Sequence, residues 1–155
     1  MSKTLVLCMC IFFTSTGFSK EIEVLMKNKG ANGEKMVFEP ALIKASPGDT
    51  IKFIAKSSGH NVQSFKKFLP DSCNITSKKT SKKGVKEKSF ECSKGIKSGN
   101  IRKNQSYSLT IDSQGFYAVK CQPHYAQGMV ALIVVGTPAN KDAYSDKLLK
   151  KVAKK

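Results

Sequence analysis

The chain has 155 residues, the size of one ordinary domain and short of two comfortable ones. Lys and Arg number 27 against 11 Asp and Glu, a formal net charge of +16, while 40% of residues are hydrophobic and 25% charged. That balance excludes a disordered polyelectrolyte and supports a packed core, and it raises a nucleic-acid or polyanion partner as the first hypothesis to test.

The N-terminus reads as a leader. Met1-Ser2-Lys3 is a short basic start, Leu5 to Phe13 is apolar, and the small residues Gly17 and Ser19 precede a cut before Lys20. This is a secretory signal pattern, expected over 1–19. A transmembrane anchor needs about 20 apolar residues, more than this run supplies. A lipoprotein anchor at Cys8 or Cys10 lacks small residues ahead of either cysteine. Cleavage removes those two and leaves Cys73, Cys92 and Cys121. In an oxidising compartment three cysteines suggest one pair and one thiol held for chemistry. Cys73 and Cys92 bracket the polar stretch NITSKKTSKKGVKEKSFE, which reads as a loop, whereas Cys121 ends an apolar strand-like run. The odd cysteine is therefore assigned to Cys121.

Strand signals follow almost everywhere. Ile22 to Met26 alternates, and Asn28 to Gly33 is a turn-rich break. Met36 to Phe38 and Ala41 to Ala45 are short strand candidates around Pro40, and Ser46-Pro47-Gly48-Asp49 is a turn by composition. Thr50 to Ala55 places Ile51, Phe53 and Ala55 on one face; Ser106 to Ile111 does the same with Tyr107, Leu109 and Ile111. Phe116 to Cys121 and Met129 to Val135 are two further strands, rich in aromatic and β-branched residues. Many short strands with regular turn signals predict an all-β sandwich. From Pro138 to Lys155, Tyr144, Leu148, Leu149 and Val152 fall at helical spacing with Lys on the other faces. That predicts a short C-terminal helix, laid on the sandwich or, alternatively, on a membrane surface.

The chemistry sits on one loop. Period two puts Cys121 on the face of Tyr117 and Val119, and Cys121-Gln122-Pro123-His124-Tyr125-Ala126-Gln127-Gly128-Met129 carries a thiol, an imidazole and a thioether before a strand resumes. The chain's other histidine, His60, stands in the turn-like Ser57-Ser58-Gly59-His60-Asn61-Val62. A lone C-x2-H is frequent by chance, and an isolated loop histidine is usually no ligand. Here both histidines, the odd cysteine and a Met fall into one scheme. Cys and Met favour Cu(I) and His accepts both oxidation states, so His2Cys with a weak axial Met is the blue-copper electron-transfer set. Zinc accepts His2Cys but gains little from a thioether.

At these residues the chain resembles the pseudoazurins, a family of blue-copper cupredoxins. The matching stretches are EIEVLMKNKGA at 21–31, MVFEPALIKASPGDTIKF at 36–53, GHNV at 59–62 and YAVKCQPHYAQGMVALIVVG at 117–136. The resemblance implies a Greek-key β-sandwich over 20–136 and a helical tail over 137–155. It implies one copper ion held by His60, Cys121, His124 and Met129, with Asn61 clamping the two ligand loops. It also implies an apolar patch around His124, here Met36, Pro123 and Ala126, ringed by lysines of which Lys29 and Lys120 match. Ser58 stands where a lysine is common.

The chain departs from the family in one main respect. His60 and Cys121 are 61 positions apart, longer than the family's usual interval. The excess coincides with an inserted loop at about 73–97, stapled by a Cys73–Cys92 disulfide or, alternatively, carrying two free thiols. It brings Lys78, Lys79, Lys82, Lys83, Lys86 and Lys88, which either replace the missing docking charge or form a separate surface.

The expected function is that of a periplasmic, monomeric one-electron carrier. Its transient partners are acidic redox proteins such as copper nitrite reductase, c-type cytochromes or other periplasmic reductases. A copper chaperone, the alternative, would want an open, exchangeable site. An enzyme would want an open coordination position, which four protein ligands do not leave. Nucleic acid and membrane drop out as partners, because the aromatics occupy strand positions and the charge is spread over loops, insert and tail.

Overall fold

Among the described residues ten segments are strands, most of them marked by alternation of apolar and polar side chains. In the computed structural model, which describes residues 19–65 and 68–138, these are β1 (Glu21–Lys29), β2 (Lys35–Glu39), β3 (Leu42–Ala45), β4 (Thr50–Ala55) and β5 (Gln63–Ser64). There follow β6 (Asn74–Ser81), β7 (Gly84–Glu91), β8 (Ser106–Ile111), β9 (Gly115–Lys120) and β10 (Val130–Val135). The leader expected over 1–19 falls, except for Ser19, outside the described residues, as does the tail helix beyond Pro138.

A six-stranded sheet runs β2-β1-β4-β8-β6-β7 and a four-stranded sheet β3-β10-β9-β5. β1 pairs parallel to β4 and β3 parallel to β10, and the other neighbours are antiparallel. The chain changes sheet after β2, β3, β4, β5 and β8, giving a Greek-key sandwich. The inner faces meet in one core. Val24, Met26, Ile51, Phe53, Leu109 and Ile111 come from the larger sheet; Ile43, Tyr117, Val119, Ala131 and Ile133 come from the smaller. Full burial of one such aliphatic or aromatic side chain is worth about 1.5–3 kcal/mol, so the sandwich is a rigid platform for whatever its loops carry. The turn at 46–49 is as the composition predicts, with the Asp49 carboxylate accepting from Ser46 N–H (2.7 Å) and Lys20 N–H (2.9 Å).

Three features differ from the sequence-based expectation. β1 runs on to Lys29, because Lys29 still has Lys35 opposite it. The two-residue β5 carries no periodicity of its own and exists by pairing with β9. The polar stretch expected to be a loop between Cys73 and Cys92 is instead the β6–β7 hairpin. β6 pairs along β8, so Ile75 and Ser77 turn inward and are buried, while Thr76 and Lys78 turn outward. The Lys-rich composition hides an alternation that needs only two inward residues. Lys82 and Lys83 make the turn before Gly84, whose φ of +111° suits glycine. Cys73 and Cys92 are joined as a disulfide at the base of the hairpin, with Cα atoms 5.2 Å apart.

Candidate metal centre

Two strand ends bring His60, Cys121 and His124 together, and Met129 closes the loop that carries the last two. After β4 the chain turns through Gly59 (φ +90°) to His60, which is fully buried. The next residues form a ribbon with the segment after β7. Ile101 N–H donates to the His60 carbonyl (2.8 Å), Val62 N–H to Ser98 Oγ (2.8 Å) and Ser64 N–H to the Ile96 carbonyl (3.1 Å). At the other end, β9 stops at Lys120 and β10 starts at Val130, so Cys121 and Met129 flank a closed loop. Cys121 N–H donates to Met129 O (3.0 Å), and the N–H groups of both Gln127 (3.1 Å) and Met129 (3.2 Å) donate to His124 O. A 3-10 turn at Tyr125–Gln127 and Gly128 in the left-handed region (φ +86°) complete it. Cys121 and Met129 are fully buried, and His124 is half-buried.

Cys121 Sγ lies 3.4 Å from His124 Nδ1 and 3.8 Å from His60 Nδ1. The ligand atoms of the three residues all fall within 4.8 Å of one another. A metal at the centre of a trigonal set, with bonds of about 2.0 Å to nitrogen and 2.3 Å to sulfur, separates N from S by about 3.7 Å. The observed separations bracket that figure. The donors fit a mononuclear His2Cys centre, with Met129 closing the loop that carries two of them.

Protonation is arranged for the same purpose. Burial, followed by the neighbouring His124, pulls the His60 pKa down to about 4, so the imidazole is neutral near pH 7. The Ser57 hydroxyl donates to Asn28 Oδ1 (2.9 Å), so its oxygen accepts from His60 Nε2–H at 3.1 Å. That fixes the tautomer, leaving the Nδ1 lone pair aimed at the sulfur. Burial pushes the Cys121 thiol up, against hydrogen bonds from the backbone N–H groups of Asn61 and His124, so a metal must displace its proton. Asn61 ties the two loops together. Its N–H points at Cys121 Sγ (3.4 Å), and its Oδ1 accepts from Gln122 N–H (2.8 Å).

The surface residues are less uniform. Pro123 and Ala126 are exposed on either side of His124, and Met36, with φ +52°, packs partly against the core. Lys29 is exposed at the end of β1, and Ser58 accepts from Lys103 N–H (3.3 Å). Lys120 does not stand alone. Its Nζ lies 5.2 Å from the Phe65 ring centroid and 4.8 Å from that of Tyr125, and these two rings meet edge to face. Sequence reasoning missed this aromatic pair, along with Ser57 and Asn28. Tyr125 lay in view inside the ligand loop; the others become neighbours only through the fold.

Residues 24–136 match the family model for copper binding proteins of the plastocyanin/azurin family. A pseudoazurin of Paracoccus pantotrophus is 40% identical over 128 residues, 82% of this chain and 72% of that one. This chain belongs to the pseudoazurins. The crystal structure of native pseudoazurin from Hyphomicrobium denitrificans superposes with a TM-score of 0.62 at 31% identity, covering 86% of this chain and 97% of that one. The pseudoazurin from Methylobacterium extorquens gives 0.56 at 34% identity over 85% and 92%. As in other pseudoazurins the cofactor is one copper ion, and His60, Cys121, His124 and Met129 form the candidate type 1 site.

Proposed function

We propose that this pseudoazurin is a periplasmic, monomeric one-electron carrier, released there by cleavage of residues 1–19. In this reading 20–136 is the cupredoxin domain with the hairpin region as an insertion, and 137–155 is a helical tail. Copper supplies the Cu(II)/Cu(I) couple, held by His60, Cys121, His124 and Met129. The observation that carries the reading is the convergence of two imidazole Nδ1 atoms on a buried thiol at separations suited to a trigonal metal. Because Asn61, Ser57 and the loop's own backbone bonds hold these donors, the same set serves both oxidation states with little movement.

His124 is the half-buried ligand, flanked by exposed Pro123 and Ala126, and this side is the route for the electron. With Met36 the patch lets a partner approach closely without tight binding. Lys29 and Lys120 at its edge favour acidic redox proteins, such as copper nitrite reductase, c-type cytochromes or other periplasmic reductases. Such complexes are transient and weaken with salt. The protein is no enzyme in this reading, since the donor set leaves no position for a substrate.

A visible spectrum of the copper-loaded protein tests the assignment. An intense blue band is expected, and Cys121→Ser is expected to abolish it while the circular dichroism stays that of a folded β-sandwich. A colourless copper complex, or a variant that remains blue, would overturn it.

A further inference from the structure

On the inner side of the β6–β7 hairpin lies a cavity of about 150 Å3, lined by Lys88, Lys94 and Lys97 together with Ser77, Tyr107 and Phe90. The three lysines come from two pieces of chain: Lys88 from β7, Lys94 and Lys97 from the segment that follows it. Among the described residues none of the three is in an ion pair, and no carboxylate lines the cavity. Two neighbouring lysines are otherwise engaged. Lys78 on the opposite face pairs with Glu87 (3.4 Å), and Lys79 Nζ donates to the Ser98 (2.7 Å) and Asn100 (2.8 Å) carbonyls.

The floor holds two buried hydroxyl-bearing side chains. Ser77 is 6% exposed and Tyr107 3%, and the Ser77 hydroxyl donates to the Lys88 carbonyl (3.2 Å). Lysines on β7 have an ordinary explanation, because charge on an edge strand prevents pairing with another chain. That explanation does not reach Lys94 and Lys97, which lie beyond the strand. The three lysines are exposed and together set up a positive field at the mouth of the hollow, which favours an anion there. The volume holds several waters' worth of ligand.

We infer that this cavity is a binding site for a small, multiply charged oxyanion of the inorganic phosphate or sulfate kind. Lys88, Lys94 and Lys97 supply the charge, and the Ser77 and Tyr107 side chains supply a neutral floor. The site stands apart from the copper ligands and does not depend on the electron-carrier reading.

The test is a titration of the copper-loaded, reduced protein with inorganic phosphate, followed by amide proton–nitrogen correlation spectra, with chloride at matched ionic strength as control. Phosphate is expected to give saturable shifts centred on Ser77, Lys88, Lys94, Gly95, Lys97 and Tyr107, which chloride does not reproduce. The triple variant Lys88→Gln/Lys94→Gln/Lys97→Gln is expected to weaken phosphate about tenfold. Lys78→Gln/Lys82→Gln/Lys83→Gln loses the same charge away from the cavity, and a change below about twofold is expected. Shifts that chloride matches, that never saturate, or that both triple variants weaken equally would reduce the effect to general charge screening and overturn the site.

Discussion

Replacing Asn61 by alanine removes one of the two bonds that join the ligand loops and leaves the other. The lost bond is Gln122 N–H to Asn61 Oδ1 at 2.8 Å; the bond from Asn61 N–H to Cys121 Sγ belongs to the backbone and persists. Gln122 is exposed, so water can take the freed N–H, and the net loss is that of an ordinary hydrogen bond, about 1 kcal/mol. With a urea dependence of about 2 kcal/mol/M, the unfolding midpoint of the copper-loaded protein should fall by about 0.5 M. In a domain of this size Tm should fall by about 4 °C. The blue band should survive, because the sulfur keeps its backbone donor. Asn61→Asp keeps an acceptor of the same reach and should recover most of the stability at neutral pH. An Asn61→Ala protein as stable as the parent would refute the clamp. One that loses the band altogether would mean that Asn61 acts on the metal by another route.

Three further outcomes follow from the same geometry. Ser57→Ala leaves the buried His60 Nε2–H without its acceptor; the band should remain while copper affinity falls about tenfold or more, read by competition with a chelator, and Ser57→Thr should restore it. Replacing Cys73 and Cys92 together by serine opens a loop of 19 positions and should cost up to about 3 kcal/mol in urea unfolding, with the blue spectrum unchanged. Hydrogen bonds from the Ser46 and Lys20 N–H groups hold the Asp49 carboxyl below its ordinary value of 3.8. Its contribution is therefore full above that pH and is lost as pH falls through the lower folded value. The stability gap between parent and Asp49→Asn should be constant near neutrality and close below about pH 4.

The candidate ligands were legible because their spacing carries the chemistry. Cys121, His124 and Met129 share one loop between two strongly β-patterned runs, and the single remaining histidine had little alternative. β4 and β8 matched residue for residue, since each alternates cleanly with one face buried. What the sequence concealed depends on partners far away along the chain. The role of Ser57 rests on Asn28, 29 positions off, and the setting of Lys120 rests on Phe65 and Tyr125 from two different segments. The hairpin was hidden for another reason. Its outward residues meet water or one another, as Lys78 meets Glu87, so lysine there says nothing against a strand, and on β6 Ile75 and Ser77 are the residues that are buried.

That hairpin is more than an appendage to the domain. The segment that leads out of it, 96–101, is the strip to which the His60 backbone is fastened through Ile101, Ser98 and Ile96. The strip is fastened in turn from the hairpin side. Lys79 reaches from β6 to the carbonyls of Ser98 and Asn100, and burial pushes its pKa down. A ligand set of this kind has to be held to within about 0.5 Å. Cys121, His124 and Met129 are held largely by bonds within their own loop. His60 stands outside that loop and, besides Ser57, is braced from the strip that the hairpin holds. The stretch between His60 and Cys121 therefore supports the first ligand as well as adding surface, and the charge of Lys79 is spent on that support rather than on docking.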